Sequence, residues 1–500
     1  MSVGLSEHAT AVRERTSEPS SGSAAASGAA PARDGRSRSR RLNQIDALRV
    51  LSCFSVVAVH ALGSPFPIDS VGLGQTSYLL HYSREIFFFV SALVLVRTYY
   101  PKAGPDGRLP DESGFRRRRL RLIGIPYLLW TTLYLAVSLY HTRGSEPFDL
   151  LLDDLPLRWL YLVVTGNGSY HMYFLLVTLQ FTLAFPLVLR LLRRTRGHHG
   201  LVLAGSAALQ VATLACYHWV LLPDNGWRGL VGDASLLAYQ LWLVGGAVVG
   251  LHLERWHDWV VRHRALVLGA IPVAATVLMW TFWAQLPSRG GLGASSPLQP
   301  IMVLWSVAAL GGLYLLAVWI MERGAPAVRA IFSYGAQLSF GVYLAHPMVL
   351  DLVLGVFRRF GVFVPSVWVS LAALFFTVVL TVAVCAALHR TPLSTALMGR
   401  GRLDPARAPR LLPFGGGRVR SRAAGRLRLA AAPALLLALS GLAVLLVGGD
   451  QSAPREEDDT LQASEPAPVP NPGCVADIAS DNCPYQAQPE ASAAEPSPGR

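Results

Sequence analysis

The sequence predicts an all-α polytopic membrane protein, a ten-helix bundle followed by one extra C-terminal transmembrane helix. Three observations predict it. Of the 500 residues, 52% are hydrophobic and only 15% are charged, whereas soluble domains carry about one-quarter charged residues. The apolar residues fall in blocks of roughly 18 to 25, the length that crosses a bilayer core as helix. Arginines gather in every second connection, the asymmetry that orients membrane proteins.

The first 41 residues are rich in Ser, Ala, Gly and Arg and hold no apolar run. They read as a disordered basic cytoplasmic leader and not as a cleavable signal peptide. A ten-helix domain over 42–390 follows, with apolar segments near 45–63, 78–97, 122–140, 170–191, 200–222, 232–252, 264–286, 299–321, 337–357 and 364–388. The leader (RSRSRR, 36–41), the 98–121 loop with FRRRRLR, and the 190–199, 253–264 and 322–329 connections are basic. The alternate loops 64–77, 223–231 and 287–298 are nearly free of basic residues, so the N-terminus is expected in the cytoplasm. Arg143, Arg158, Arg358 and Arg359 are exceptions on the outer side. Residues 148–165 are amphipathic and interrupted by Pro156, and read as an interfacial or re-entrant piece. No internal repeat of the kind that builds transporters is visible.

Residues 391–428 form a basic cytoplasmic linker and 429–448 an eleventh crossing, which carries the C-terminus out. Residues 449–500 read as a disordered acidic extracellular tail, with nine acids against two arginines after position 450. Cys53, Cys216 and Cys385 fall in apolar blocks as small core residues, while Cys474 and Cys483 can close a small loop if the tail is exported. The net charge of +13 belongs to topological arginines and does not indicate a nucleic-acid partner. Only Lys102 among the 44 basic residues is lysine, as coding bias in a high-GC bacterial genome produces. No metal-ligand cluster and no nucleotide-phosphate loop occurs, so no bound cofactor is expected.

The first helix carries the chemistry. Arg49 and His60 are eleven residues apart, three turns plus roughly 20°, so they share a face about 16 Å apart along the axis. Asp46 precedes Arg49 by one turn and can pair with it. Ionisable groups inside a membrane helix face protein or a water-filled cavity. A plainer account also stands: Asp46 and Arg49 as headgroup anchors, and His60 in the outer interface. Spacing alone does not choose.

Four further segments join this one in a shared pattern. The string Ile45-Asp46-Ala47-Leu48-Arg49, ten residues and then His60, resembles the first helix of the acyltransferase-3 family of membrane acyltransferases. REIFFFVSALVL (84–95) resembles the family's acid-x-F-F-x-x-S-G segment, with Glu85 and Ser91 in place but Ala92 for glycine. FRRRRLRLIGIPYLLW (115–130) resembles its basic entry to helix three. SYHMYFLLVTLQFTLAFPLV (169–188) resembles its H-x-W-F-L segment, with Tyr173 for tryptophan, and SYGAQLSFGVYLAHPMVL (333–350) its S-x-x-x-Y-L-x-H-P segment.

The resemblance implies an acyl-CoA-dependent O-acyltransferase. Its donor is cytoplasmic acyl-CoA, and its acceptor is a hydroxyl of an envelope glycan, lipid or exported small molecule. His60 is then the general base or a transient acyl carrier, and Arg49, oriented by Asp46, holds the donor. Arg116, Arg117, Arg118, Arg119 and Arg121 offer a positive surface to the donor phosphates, beside their ordinary topological role. Glu85 either orients the imidazole or caps its helix beside Arg84. Tyr170 and His171 stand on the acceptor side. Tyr343, His346 and Ser91 are acceptor-side candidates for which helix packing is the plainer role, and Pro347 breaks the local hydrogen bonding. The expected partners are acyl-CoA, the acceptor and membrane lipids. A transporter using the same polar path, or a non-catalytic membrane partner, are the competing readings.

Overall fold

The structure is a computed structural model that describes residues 31–67, 70–142, 154–219 and 232–402. The eleventh apolar segment, the acidic tail with Cys474 and Cys483, and most of the basic linker lie outside the described residues. Among the described residues every regular element is helical. They are α1 (Pro31–Gly63), α2 (Val71–Leu80), α3 (Tyr82–Tyr99), α4 (Glu112–Arg119), α5 (Ile125–Thr142), α6 (Leu155–Thr165), α7 (Tyr173–Arg194) and α8 (His199–Trp219). Then come α9 (Gln240–Leu251), α10 (Leu253–Arg262), α11 (Arg264–Ala294), α12 (Ile301–Arg323), α13 (Pro326–Arg359), α14 (Val367–Leu388) and the short α15 (Ser394–Met398). The described residues 31–42, helical throughout, belong to a unit of their own. The bundle is built by the described residues from Asn43 onward.

Within the described residues, nine helical stretches are long and apolar enough to cross a membrane. A tenth arises if Leu236–Leu251 and Leu253–Arg262, bent by 96° at His252, count as one crossing. This is the multi-pass all-α architecture that the hydropathy pattern predicts.

Two local departures have physical causes. The arginine run was expected in a loop, but Asp111 caps α4 by accepting from the Gly114 N–H at 2.8 Å, and the run is helical. That N–H and the Ser113 hydroxyl hold the Asp111 carboxyl below its usual range. The helix continues through one wide turn, Leu120–Gly124, into α5. Pro126 explains the widening, since it offers no N–H to the Leu122 carbonyl four residues back. Pro156, expected to interrupt 148–165, instead opens α6 from its first turn, where a missing N–H costs nothing. Residues 143–153 of that stretch lie outside the described ones.

The bundle's tightest seam joins α3 and α9. Gly246 and Gly250 are one turn apart on α9, in the small-xxx-small spacing that lets membrane helices approach closely. A Cβ on Gly246 would collide with the Phe89 carbonyl oxygen of α3, and one on Gly250 would meet the Leu93 carbonyl oxygen at 2.9 Å. This seam fixes α3, which carries Arg84 and Glu85, against the bundle.

Candidate active site

His60 lies near the C-terminal end of α1, 8% exposed, and its ring meets residues from two distant stretches. The Tyr170 ring is 4.2 Å away centroid to centroid, and the His346 ring is stacked at 5.5 Å. His171 is 5.3 Å from both His346 and Tyr343. A cavity of about 30 Å³ opens here, lined in part by His60, His81, Arg84, Tyr170, His171 and Tyr343. That is room for about two waters or one small polar group. No hydrogen bond engages the ring nitrogens of His60 among the described residues.

The elements that hold these side chains follow from local sequence. Tyr170 and His171 sit in the turn between α6 and α7. Gly166 ends α6 with φ 79°, and a Cβ there would come within 2.8 Å of the Tyr173 Cα, so the turn requires glycine. The Tyr343 hydroxyl donates to the His171 carbonyl and ties this turn to α13. Pro347 offers no N–H to the Tyr343 carbonyl four residues before it. The His346 Nδ1 lies 2.7 Å from that carbonyl. The Tyr134 hydroxyl donates to the next carbonyl, that of Leu344, at 2.8 Å.

Arg84 and Glu85 form a buried pair on α3, with Nε to Oε1 at 3.0 Å, and Arg84 also reaches Asp233 at 3.3 Å. Of the two, Arg84 lines the cavity and Glu85 does not. Glu85 pairs with Arg84 on the same helix and is not among the residues that line the cavity with His60. Ser91 lies further along α3, half-buried and away from the cavity wall.

At the other end of the same stripe Asp46 and Arg49 are paired at 3.5 Å. Arg119 and Arg400 both come within electrostatic reach of Arg49. The Arg119 Nε is buried without a hydrogen-bond partner among the described residues. Arg116 is spent on Glu112 at 3.4 Å, while Arg117, Arg118 and Arg121 are exposed. Burial and the charge of Arg49 pull the Arg400 guanidinium below its usual range.

Arg400 follows a turn built for it. Gly399 has φ 59°, and any Cβ there would collide with the Leu122 carbonyl oxygen. The Trp130 indole donates to the Leu397 carbonyl at 2.9 Å, and the Ser394 hydroxyl donates to the Arg400 carbonyl at 2.9 Å. Sequence reasoning missed Arg400, because it is one of ten arginines in a segment that reads as plain topology. It also missed Arg84 and His81, which line the cavity with His60, and Tyr134, which meets His171 edge-on. Nothing in their local spacing marks them.

A multi-pass helical protein with a buried imidazole cluster at one end of a helix stripe and a guanidinium cluster at the other fits membrane group transfer. The chain belongs to the acyltransferase-3 family of membrane acyltransferases: the family's model, described as an acyltransferase domain, matches residues 42–390. It is also similar to the Bacillus subtilis (strain 168) protein named "Putative membrane-bound acyltransferase YfiQ", 24% identical over 338 residues. That match covers 63% of this chain and 83% of the relative. No solved structure matches the chain. Membership decides for a membrane acyltransferase over the transporter and the non-catalytic partner.

Proposed function

We propose that the protein moves an acyl group from acyl-CoA, held at the Arg49 end of the stripe, to an acceptor hydroxyl that enters at the His60 end. The observation that carries the reading is the convergence of His60, His171 and Tyr170 around one cavity, with His346 stacked on His60, three helical turns along α1 from three clustered guanidinium groups. Arg49 and Arg400 share the carboxylate of Asp46, and Arg119 stands within electrostatic reach of Arg49, which leaves positive charge for the donor's phosphates. Arg117, Arg118 and Arg121 contribute a more distant attractive field.

In the reaction the acceptor oxygen bonds to the thioester carbonyl carbon and its proton passes to a ring nitrogen of His60. The C–S bond then breaks, and the departing thiolate takes a proton from the imidazolium, giving ester and CoA thiol. The carrier variant inserts an acyl-imidazole at His60 before the acceptor attacks. Tyr170 and His171 shape the acceptor's approach, and Ser91 supports helix packing. The arginine asymmetry supports a plasma-membrane protein with its N-terminus in the cytoplasm, which puts the donor inside and an envelope glycan, lipid or exported small molecule outside.

The test uses the full chain in sealed vesicles with acyl-CoA and candidate acceptors, reading free thiol release. Release that depends on acceptor and is lost in His60→Ala, while the variant still folds, supports the reading. Undiminished release in His60→Ala refutes it.

A further inference from the structure

We propose that His346 is a positioning residue of the acyl-transfer centre, a proton acceptor for His60 whose tautomer is set by Pro347. The proposal rests on the acyl-transfer reading above and gives it a second imidazole with a defined task.

The argument begins with a missing donor. In an α-helix the N–H of each residue bonds the carbonyl four residues earlier, and proline has no N–H. Pro347 therefore leaves the Tyr343 carbonyl open inside a buried stretch of α13. The His346 Nδ1 fills that place at 2.7 Å. A carbonyl only accepts, so Nδ1 carries the hydrogen, and in the neutral ring Nε2 is left as a lone pair. That Nε2 is fully buried and has no hydrogen-bond partner among the described residues. An imidazole held by one nitrogen with the other left basic is the arrangement that orients a working histidine. Packing alone requires neither the proline nor the fixed tautomer.

The neighbours suit the task. His346 stacks on His60 with a 29° interplanar angle and meets His171 edge-on. The titratable groups around it are His60 on α1, Tyr170 and His171 in the α6–α7 turn, and Tyr343 on its own helix; beyond His171 stands Tyr134 on α5, itself within electrostatic reach of Asp351 on α13. In the proposed step His60 accepts the acceptor's proton at one ring nitrogen and passes the proton on its other nitrogen to the His346 Nε2. The transfer requires the His60 ring to turn out of the stacked position about its terminal torsion, which is broad in histidine, so that its N–H meets the lone pair. When the C–S bond breaks, the proton returns through His60 to the thiolate, so neither histidine is changed over a turnover.

The experiment uses the full chain in vesicles and three variants. Pro347→Ala restores a backbone N–H for the Tyr343 carbonyl and releases the His346 ring. Its melting temperature should hold or rise, while kcat falls about tenfold or more and its pH profile shifts, with KM for the donor unchanged. His346→Phe keeps a ring but no proton acceptor, and should lose kcat by about a hundredfold. His346→Gln, which retains a donor for the carbonyl, should recover folding but not kcat. Separately, ¹⁵N spectra of histidine-labelled protein should show His346 as the Nδ1–H tautomer in the wild type and as a mixture in Pro347→Ala. An Nε2–H tautomer in the wild type overturns the proposal, as does a folded His346→Phe with kcat within about twofold of wild type. If the wild type releases no thiol from any acyl-CoA, the reading of the reaction fails with it, whereas the tautomer result is unaffected and distinguishes the two failures.

Discussion

His60 and Tyr170 lie ring against ring, with centroids 4.2 Å apart and planes tilted by 47°. The pair joins α1 to a turn 110 residues later in the chain, and it closes one side of the cavity. An aromatic pair of this kind contributes about 0.5–1.5 kcal/mol beyond the area it buries. Its larger effect is on aim, because a reacting group displaced by about 1 Å can cost a hundredfold in rate. Tyr170→Ala should therefore lower thiol release far more than it lowers the melting temperature, and Tyr170→Phe should keep the ring's positioning effect. Equal loss in both variants would assign the effect to the hydroxyl instead.

The Arg84–Glu85–Asp233 cluster makes a different prediction. Side chains of Arg84 and Glu85 are 9% and 5% exposed, and removing one partner of a buried ion pair typically costs about 3–5 kcal/mol. Glu85→Gln should lower thermal stability sharply and leave the shape of the pH–rate profile unchanged. A shifted profile with unaltered melting would instead make Glu85 the group that orients the His60 imidazole.

Much of the architecture was legible because membrane burial is a one-dimensional property. The ten apolar blocks and their alternating arginines are visible without any contact information, and the helices fall where the blocks do. The stripe from Arg49 to His60 was legible too, since helical period alone puts both on one face. What joined His60 to Tyr170, His171 and His346 was not. Those residues lie 110 to 286 positions further on, and only the resemblance of ordered segments hinted that they belong together. Arg84 and Glu85 show the limit most directly. The sequence left Glu85 two roles, and its partner Arg84 also reaches Asp233, a residue with no local signature.

The α3–α9 seam gives a stability test with an internal control. Gly245 and Gly246 are adjacent, yet a Cβ on Gly245 would meet only side-chain atoms at 3.7 and 3.9 Å, while one on Gly246 would strike the Phe89 carbonyl oxygen. Gly245→Ala should be neutral, or stabilising by up to about 1 kcal/mol from reduced chain entropy. Gly246→Ala must push two backbones apart, and should be destabilised by about 1–3 kcal/mol or fail to accumulate. Detergent-resistant melting of the two variants side by side reads the difference. Comparable melting would mean that α3 and α9 do not pack as closely as described.

Arg400 tests the donor end of the stripe. It lies beyond the family-matched residues 42–390, yet the Gly399 turn, the Trp130 indole and the Ser394 hydroxyl hold it within electrostatic reach of Arg49. A guanidinium on a phosphate makes a charge-assisted hydrogen bond worth about 1.5–3 kcal/mol, and 1.4 kcal/mol is tenfold in affinity. Arg400→Ala should therefore weaken CoA binding by about tenfold or more, and raising salt should narrow the gap. Pantetheine, the same arm without phosphates, should bind wild type and Arg400→Ala alike. Arg117→Ala, which removes an exposed arginine of α4, should change CoA affinity little by comparison. If Arg400→Ala binds CoA as wild type does, the donor's phosphates rest elsewhere. If pantetheine weakens in step with CoA, Arg400 acts by holding the Leu397–Arg400 turn in place, and its charge is incidental.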